Sequence, residues 1–335
     1  MERRAEGLTI RDVARHARVG VGTVSRVLND SPLVSDETRR RVRSAIDELG
    51  YRRSTTARNL SLGRTQTIGV VSPFVTSASV HERLRGVIER LRQDGEYDLL
   101  MFDATTGAQR ADAFGEFVGS DHVDGVLVVS LQPSEEEVGR LLRDGRPVVL
   151  VDATHPALPS VAIDNVRGGE LAAAHLLNRG HHRIGFIGDA PTPLGFVSSE
   201  ERRQGMRQTL ERAGIACTGE LEALGEHGRL QAEALAAQLL RSPEPPTAIF
   251  AASDLQAMGV LQAARRLGLA IPGELAVIGF DDIDVAEVLQ LSTVRQPLRE
   301  TGWHGANLLL DAIHGTRLTP RNRLAELAVV ARSTT

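Results

Sequence analysis

The sequence contains no lysine, a single cysteine among 335 residues, and only 3% aromatic residues. One cysteine, Cys217, excludes an intramolecular disulfide and a zinc site built from cysteines. With so few aromatic side chains, leucine, valine, isoleucine and alanine must fill the core. The apolar runs, such as residues 125–130 and 147–151, are far too short to cross a bilayer. The charged N-terminus lacks the apolar segment of a signal peptide, so we expect a cytoplasmic protein without a membrane partner.

The remaining composition, 41% hydrophobic and 24% charged, predicts two or three folded units with a sizeable core. The net charge of −4 hides a division along the chain. Residues 1–65 carry fourteen arginines and eight acids (+6), whereas residues 66–335 carry twenty-five arginines and thirty-five acids (−10). A basic head on an acidic body favours a polyanionic partner for the head, although charge alone also fits an ordinary solvated face.

Residues 1–51 predict a domain of three short helices. Thr9 and Asp12 have the spacing of a capping box, and apolar residues follow at helical intervals. Ser35 is a good N-cap for the third helix, and Gly50 ends it. Two helices joined by a tight turn and supported by a third describe a helix-turn-helix unit, with a helical protein-interaction module as the alternative.

Four segments of this head carry a family pattern: Thr9-Ile-Arg-Asp-Val-Ala, Thr23-Val-Ser-Arg-Val-Leu-Asn29, Val34-Ser-x-x-Thr38-Arg and Leu49-Gly-Tyr51. In order and spacing they resemble the DNA-binding head of the LacI/GalR repressor family. The resemblance implies that the second helix enters the major groove, where Val21, Gly22 and Arg26 read bases. Arg26 has the guanidinium fork that pairs with guanine. The implied phosphate contacts are Thr9, Thr23, Ser25, Asn29, Ser35, Thr38 and Tyr51.

The head departs from the family pattern in the turn. Arg18 stands where a glycine is usual, and a positive φ there would cost roughly 1 kcal/mol. Gly20 replaces the usual serine cap, which remains tolerable. Val21 and Gly22 offer few hydrogen bonds, so we expect DNA shape and thymine methyl groups to contribute to base reading.

Residues 52–65 form a polar, arginine-rich connector. The plain interpretation is a flexible linker, since about two turns of helix without a core are marginal in water. The family resemblance instead implies a hinge helix that folds on DNA. Ala57, Arg58 and Leu60 would then enter the minor groove, with Leu60 as a wedge between bases.

Residues 66–335 alternate short apolar runs with helical patterns, which predicts an α/β fold of two lobes with parallel sheets and helices on both faces. Strands are expected at residues 68–71, 99–103, 126–130, 148–152, 184–188, 248–252 and 277–281. Helices are expected around residues 82–93, 170–179, 201–213, 256–267 and 298–313. In such folds ligands bind beyond the carboxyl ends of the strands.

This body also carries Asp164-Asn-x-x-Gly168, Arg202-x-x-Gly205 and Gly279-Phe-Asp-Asp282, in an order that resembles the periplasmic-binding-protein-like sensor of the same family. The resemblance implies one lobe at about 66–160 and 291–320, and another at about 161–290 and 321–335. It implies that Arg202 and Asp281 hold hydroxyls of a small, sugar-like effector. The other implied effector contacts are Phe74, Ser77, Ser79, Ser130, Asp164, His227 and Ser253.

Several expectations limit this interpretation. Residues 77–80 read Ser-Ala-Ser-Val where relatives often carry Asn-Pro-Phe-Phe, so we expect no aromatic platform for a pyranose or purine. Arg202 alone would fit a surface ion pair, and the pair Asp281-Asp282 a helix cap. A surface turn is expected at His181-His182 rather than a metal site, and Trp303 is expected in packing.

Three classes of function follow from these patterns. The favoured one is a homodimeric repressor of carbohydrate-utilisation genes that binds a palindromic operator under effector control. A sugar-binding protein of a transport system and an α/β enzyme are the alternatives. The sequence has no Gly-x-Ser-x-Gly, no phosphate loop and no dinucleotide fingerprint, so we expect neither catalysis nor a cofactor.

Overall fold

The computed structural model describes residues 8–51, 64–95, 97–117, 122–191, 196–217, 219–316 and 322–335. The chain divides into two compact units, Met1–Thr65 and Gln66–Thr335. The predicted hinge contacts Ala57, Arg58 and Leu60 lie outside the described residues. Within the described ranges, every helix is too short or too polar to cross a membrane.

Residues 8–51 of the first unit form three helices, which are α1 Ile10–His16, α2 Val21–Leu28 and α3 Asp36–Leu49. The backbone N and Oγ1 of Thr9 donate to the Asp12 carboxylate at 2.9 and 2.7 Å, which confirms the predicted capping box. Ser35 begins α3 and Gly50 ends it in the left-handed conformation, with φ 62°. The apolar sides of the helices meet in one small core of valine and alanine side chains, so the three helices stabilise each other.

The turn between α1 and α2 contains the strained residue that the sequence suggested. Arg18 has φ 51°, in the left-handed region that glycine occupies readily and other residues do not. Gly20 is the N-cap of α2 and supplies no side chain to bind the first amides. The helix-turn-helix is therefore built with a backbone cost in its turn and a weak cap.

Replacing Arg18 with glycine should stabilise the head by up to about 1 kcal/mol, because it removes the left-handed strain. The control is Arg15→Gly, which lies in the right-handed helix α1 and should destabilise the head by about 1 kcal/mol. Hydrogen exchange of the buried Val24 and Val27 amides in the full chain measures both changes. Slower exchange in the Arg15 variant than in the Arg18 variant would contradict this account.

The second unit contains two sheets and nine helices in the described ranges. The strands are β1 Thr67–Ser72, β2 Asp98–Asp103, β3 Gly125–Val129, β4 Val148–Val151, β5 Ser160–Ile163, β6 Ile184–Asp189, β7 Glu222–Gly225, β8 Ala248–Ala251, β9 Ala276–Asp281, β10 Ser292–Arg295, β11 Asn322–Ala325 and β12 Ala328–Val330. The helices are α4 Ala78–Asp94, α5 Gly107–Phe117, α6 Glu135–Asp144, α7 Asn165–Asn178, α8 Ser198–Arg212, α9 Arg229–Leu239, α10 Asp254–Leu267, α11 Asp284–Val288 and α12 Leu298–Ile313.

The two sheets have matching strand orders, β11-β5-β4-β3-β1-β2 and β12-β10-β9-β8-β6-β7. All pairs are parallel except β10 with β12. Each sheet is the centre of one lobe, so the second lobe repeats the strand order of the first, and only its outermost strand, β12, runs in the opposite direction to its counterpart β11. The predicted α/β fold of two lobes is confirmed. The seven predicted strands are present, and the structure adds β5, β7, β10, β11 and β12.

The expected lobe boundaries need correction at two crossings. Residues 291–320 were expected in the first lobe, but β10 pairs with β9 of the second sheet. Residues 321–335 were expected in the second lobe, but β11 pairs with β5 of the first. The chain therefore crosses between the lobes near residues 164, 296 and 326. The apolar pattern does not reveal these crossings, because backbone pairing decides to which sheet each short strand belongs.

Close helix crossings repeat in the two lobes. A Cβ on Gly302 of α12 would lie 1.9 Å from the carbonyl oxygen of Arg83 in α4. A Cβ on Gly169 of α7 would likewise lie 1.9 Å from the carbonyl oxygen of Arg202 in α8. Glycine lets each helix pair touch at the backbone, and both contacts fall on an arginine. The crossings thus fix the backbone from which two buried arginine side chains start.

Candidate functional site

A cleft of about 570 Å³, including its open mouth, lies between the two lobes at the carboxyl ends of the strands. Eight of the nine residues predicted to contact an effector line it, namely Phe74, Ser77, Ser79, Ser130, Arg202, His227, Ser253 and Asp281. The cleft therefore brings together side chains from both lobes.

Asp164 does not line the cleft. Its carboxylate is the N-cap of α7 and accepts a hydrogen bond from the Arg167 amide at 2.8 Å, on an exposed surface. The carboxylate thus satisfies the start of a helix instead of facing a ligand. Trp303 and His181 also lie outside the lining of the cleft. The Trp303 ring centroid is 5.7 Å from the guanidinium carbon of Arg90, and His181 forms a hydrogen bond with Thr247.

The second lobe contributes a buried arginine beside an aspartate. Arg202 is 5% exposed, donates through Nε to Asn165 at 2.9 Å and through Nη1 to the Ala252 carbonyl at 2.6 Å. Its guanidinium carbon lies 3.6 Å from the centroid of the Phe280 ring. The Asp281 carboxylate is 4.0 Å from Nη1. Arg202 is therefore held rigidly at the floor of the cleft, so it is not a surface ion pair.

The first lobe contributes a second arginine and aspartate, which the sequence reasoning did not include among the effector contacts. Arg83 is only 2% exposed and its Nη2 lies 2.9 Å from the Asp152 carboxylate. Ser130 donates to the same carboxylate at 2.8 Å. The sequence contains one signal that could have identified Arg83. It stands three residues before Gly86, just as Arg202 stands three residues before Gly205.

Gln296 joins the two pairs. It lies at the crossing between β10 and α12, and its oxygen accepts from Arg83 Nη2 at 2.9 Å. Its side-chain nitrogen donates to Asp281 at 2.5 Å. A continuous chain of polar contacts therefore runs from one lobe to the other across the cleft.

Aromatic rings lie at the cleft, although residues 77–80 contribute none. The Phe74 ring stacks on His227 with centroids 4.9 Å apart and contacts Phe196 at 5.1 Å. Phe74 belongs to the first lobe, whereas the other two rings belong to the second. The cleft thus contains an aromatic group to which both lobes contribute.

Ionisation near this aromatic group depends on Asp189. Burial is the largest single influence on His227 and lowers its pKa, but the hydrogen bond to Asp189 at 3.1 Å and the negative charges of Asp189 and Asp281 together outweigh it, so the net shift is upward. In the same lobe, burial and then the neighbouring Asp281 raise the pKa of Asp254 to about 8. Burial likewise raises the pKa of Asp281, although Arg202 opposes the shift.

The raised pKa values of His227 and Asp254 predict that the second unit loses stability as the pH increases from 6 to 9. A group whose pKa is raised on folding stabilises the fold at low pH and loses that contribution as the pH passes the folded pKa. Thermal unfolding of the full chain at pH 6, 7, 8 and 9 measures the effect. His227→Gln should flatten the curve between pH 6 and 8, whereas the exposed control His81→Gln should leave it unchanged. An identical slope in the His227 variant would remove this residue from the explanation.

The DNA-contact candidates of the head are distributed over the three helices and their caps. On α2, Val21 is 42% exposed, and Gly22 and Arg26 are exposed as well. Thr9 and Ser35 are the N-cap residues of α1 and α3, and helix N-termini favour anions such as phosphate. Tyr51 is 9% exposed and packs in the core of the head.

Comparison with known proteins agrees with both units. A family model described as bacterial regulatory proteins, lacI family, matches residues 9–54, and a periplasmic binding protein-like domain matches residues 173–335. The HTH-type transcriptional repressor CytR of Escherichia coli (strain K12) is 33% identical over 332 residues, covering 98% of this chain and 96% of the relative.

Two solved structures resemble the whole chain. The complex of the transcriptional regulator CelR with cellobiose has a TM-score of 0.73 and 33% identity, covering 98% of this chain and 100% of that one. The lac repressor dimer bound to operator and the anti-inducer ONPF has a TM-score of 0.86 and 25% identity, covering 98% and 99%.

A helix-turn-helix head followed by a two-lobed unit with a polar cleft defines a DNA-binding regulator of transcription that responds to a small molecule. The relatives named above are repressors and regulators, so this class excludes the enzyme considered at first. The chain belongs to the lacI family of bacterial regulatory proteins.

Proposed function

We propose that this protein is a cytoplasmic, homodimeric repressor whose affinity for a palindromic operator is set by a sugar-like molecule in the cleft. The observation that carries the proposal is the cleft itself, where polar groups of both lobes surround a space fit for a small polar ligand. The bound cellobiose of the CelR complex and the operator of the lac repressor complex support it.

On the DNA side, α2 is the recognition helix of the proposal. Val21, Gly22 and Arg26 are exposed on this helix and would face base edges, with Arg26 as the only one that carries several donors. The phosphate contacts named from the resemblance, Thr9, Thr23, Ser25, Asn29, Ser35, Thr38 and Tyr51, would fix the head on the duplex. The net charge of +6 over residues 1–65 adds salt-dependent attraction.

Arg26→Ala should weaken operator binding by about 1–3 kcal/mol and relax the preference for the base that Arg26 contacts, while affinity for unrelated DNA changes little. The control Arg15→Ala removes the same charge from α1, where Arg15 is 80% exposed and pairs with Asp12. Titrations of operator and scrambled DNA at one salt concentration measure both variants. Equal losses on the two DNAs would assign Arg26 to phosphate contact instead.

On the ligand side, Arg202 and Asp281 combine donors and acceptors, which suits neighbouring hydroxyls. A ligand that contacts both lobes would change how they close on each other. In a dimer, lobe closure would alter the spacing of residues 52–65 and so the placement of the two heads on DNA. A coupling free energy of about 1–3 kcal/mol is enough for such a switch.

Arg202→Lys keeps the charge but loses the guanidinium fork, and should weaken sugar binding about ten- to a hundredfold, since hydrogen bonds to charged groups contribute about 1.5–3 kcal/mol. The matched control is Arg212→Ala on the same helix, whose side chain is 63% exposed. Calorimetry with a panel led by cellobiose, and operator release by the same sugars, measure the change. Unaltered sugar affinity in the Arg202 variant would place the ligand elsewhere.

A further inference from the structure

We propose, building on the function proposed above, that Arg83 and Asp152 form a second ligand clamp that duplicates Arg202 and Asp281. The cleft then selects a neutral, polyhydroxylated ligand held at both ends, and rejects phosphorylated sugars. This assigns to Arg83 a part in ligand selection.

The duplication is geometric. Arg83 lies on the helix after the first strand of its lobe, and Asp152 follows the fourth strand, β4. Arg202 lies on the helix after β6, and Asp281 ends β9, the matching strands of the second sheet. In both lobes a glycine of a crossing helix presses on the carbonyl of the arginine. The fold thus presents one arginine and one aspartate from each side of the cleft.

The clamp of the first lobe has unused hydrogen-bonding capacity. Arg83 Nε and Asp152 Oδ1 are both buried and have no hydrogen-bond partner. Both residues line the cleft. Buried polar atoms without partners are costly, and their occurrence in a native structure calls for a ligand or water. A hydroxyl group accepts from an arginine N–H and donates to a carboxylate oxygen, so an alcohol complements both kinds of atom.

Charge limits the ligand further. The arginines Arg83 and Arg202 contribute two positive charges to the lining, whereas Asp152, Asp189 and Asp281 carry three carboxylates. Each arginine already has a carboxylate within 4.0 Å. Even with a protonated His227, no uncompensated cation remains for a phosphate dianion. A neutral ligand with hydroxyls toward both lobes fits the cleft, and an anionic one does not.

The first experiment measures binding to the full chain by calorimetry. The probes are glucose, ribose, cellobiose and glucitol, each neutral, together with glucose 6-phosphate and ribose 5-phosphate, and adenosine as a nucleoside. At least one neutral sugar or polyol should bind, and its phosphate, where the panel contains one, should bind at least tenfold more weakly. Equal or tighter binding of the phosphate, binding of adenosine alone, or no binding by any neutral probe overturns the inference.

The second experiment uses Arg83→Lys and Asp152→Asn with the neutral probe that binds. Each variant should bind the probe at least tenfold more weakly than the unaltered chain. Because the two residues act as a pair, the double variant should bind only slightly more weakly than whichever single variant binds more weakly. Arg85→Leu is the matched control: its side chain is 47% exposed on the same helix and should leave affinity unchanged. Thermal unfolding without ligand shows whether each variant still folds. A folded Arg83→Lys variant with unaltered affinity reduces Arg83 to a structural partner of Asp152.

Operator binding by the unaltered chain separates the two proposals. If the chain binds operator DNA but takes up none of the neutral probes, only the inference about the clamp fails. If it binds no palindromic DNA, the proposed function fails, whatever the sugar results.

Discussion

A guanidinium group taken out of water must meet a carboxylate, and this requirement organises the second unit of the protein. Arg83 and Arg202 are almost completely buried, and each has an aspartate of its own lobe nearby. If either partner were absent, a buried charge would remain uncompensated. The helix crossing that carries each arginine and the strand end that carries its aspartate must therefore lie side by side. The glycine contacts at the two carbonyls position the arginines, and the ends of β4 and β9 position Asp152 and Asp281. The cleft follows from satisfying both pairs at once.

The strand ends that carry these carboxylates are strained. Ser130, Asp152 and Asp281 have φ values of 52°, 60° and 120°, which side-chain-bearing residues rarely adopt. Each such residue costs about 1–3 kcal/mol and persists only where the surroundings impose it. Here the sheet does so: the amide of Ser130 donates to Val151, and that of Asp152 to Val161, both at 2.8 Å. In this backbone conformation the side chains of all three residues line the cleft.

How much of this could be predicted depended on burial. Strands such as β3 and β8 are buried along their whole length, so their apolar runs identify them. In contrast, β7 is half-buried throughout, and its short mixed sequence gives no such signal. Arg83 was missed because an arginine in an amphipathic helix suggests the exposed face, and only the packing of α4 on α12 shows it buried. Asp164 was predicted as an effector contact, but its carboxylate caps a helix, a role for which aspartate is equally suited.

The position of Gln296 links ligand binding to lobe arrangement. It lies where the chain passes from the second lobe to the first, and it bonds to Arg83 on one side and Asp281 on the other. One residue of each arginine–aspartate pair therefore shares a hydrogen bond with Gln296, so a ligand that moves either pair would also affect the contact between the lobes. A ligand that binds the pairs differently in two lobe arrangements shifts their populations by its differential affinity. The polar groups that would recognise the ligand are then also the groups that sense its presence, and no separate relay through the cores is required.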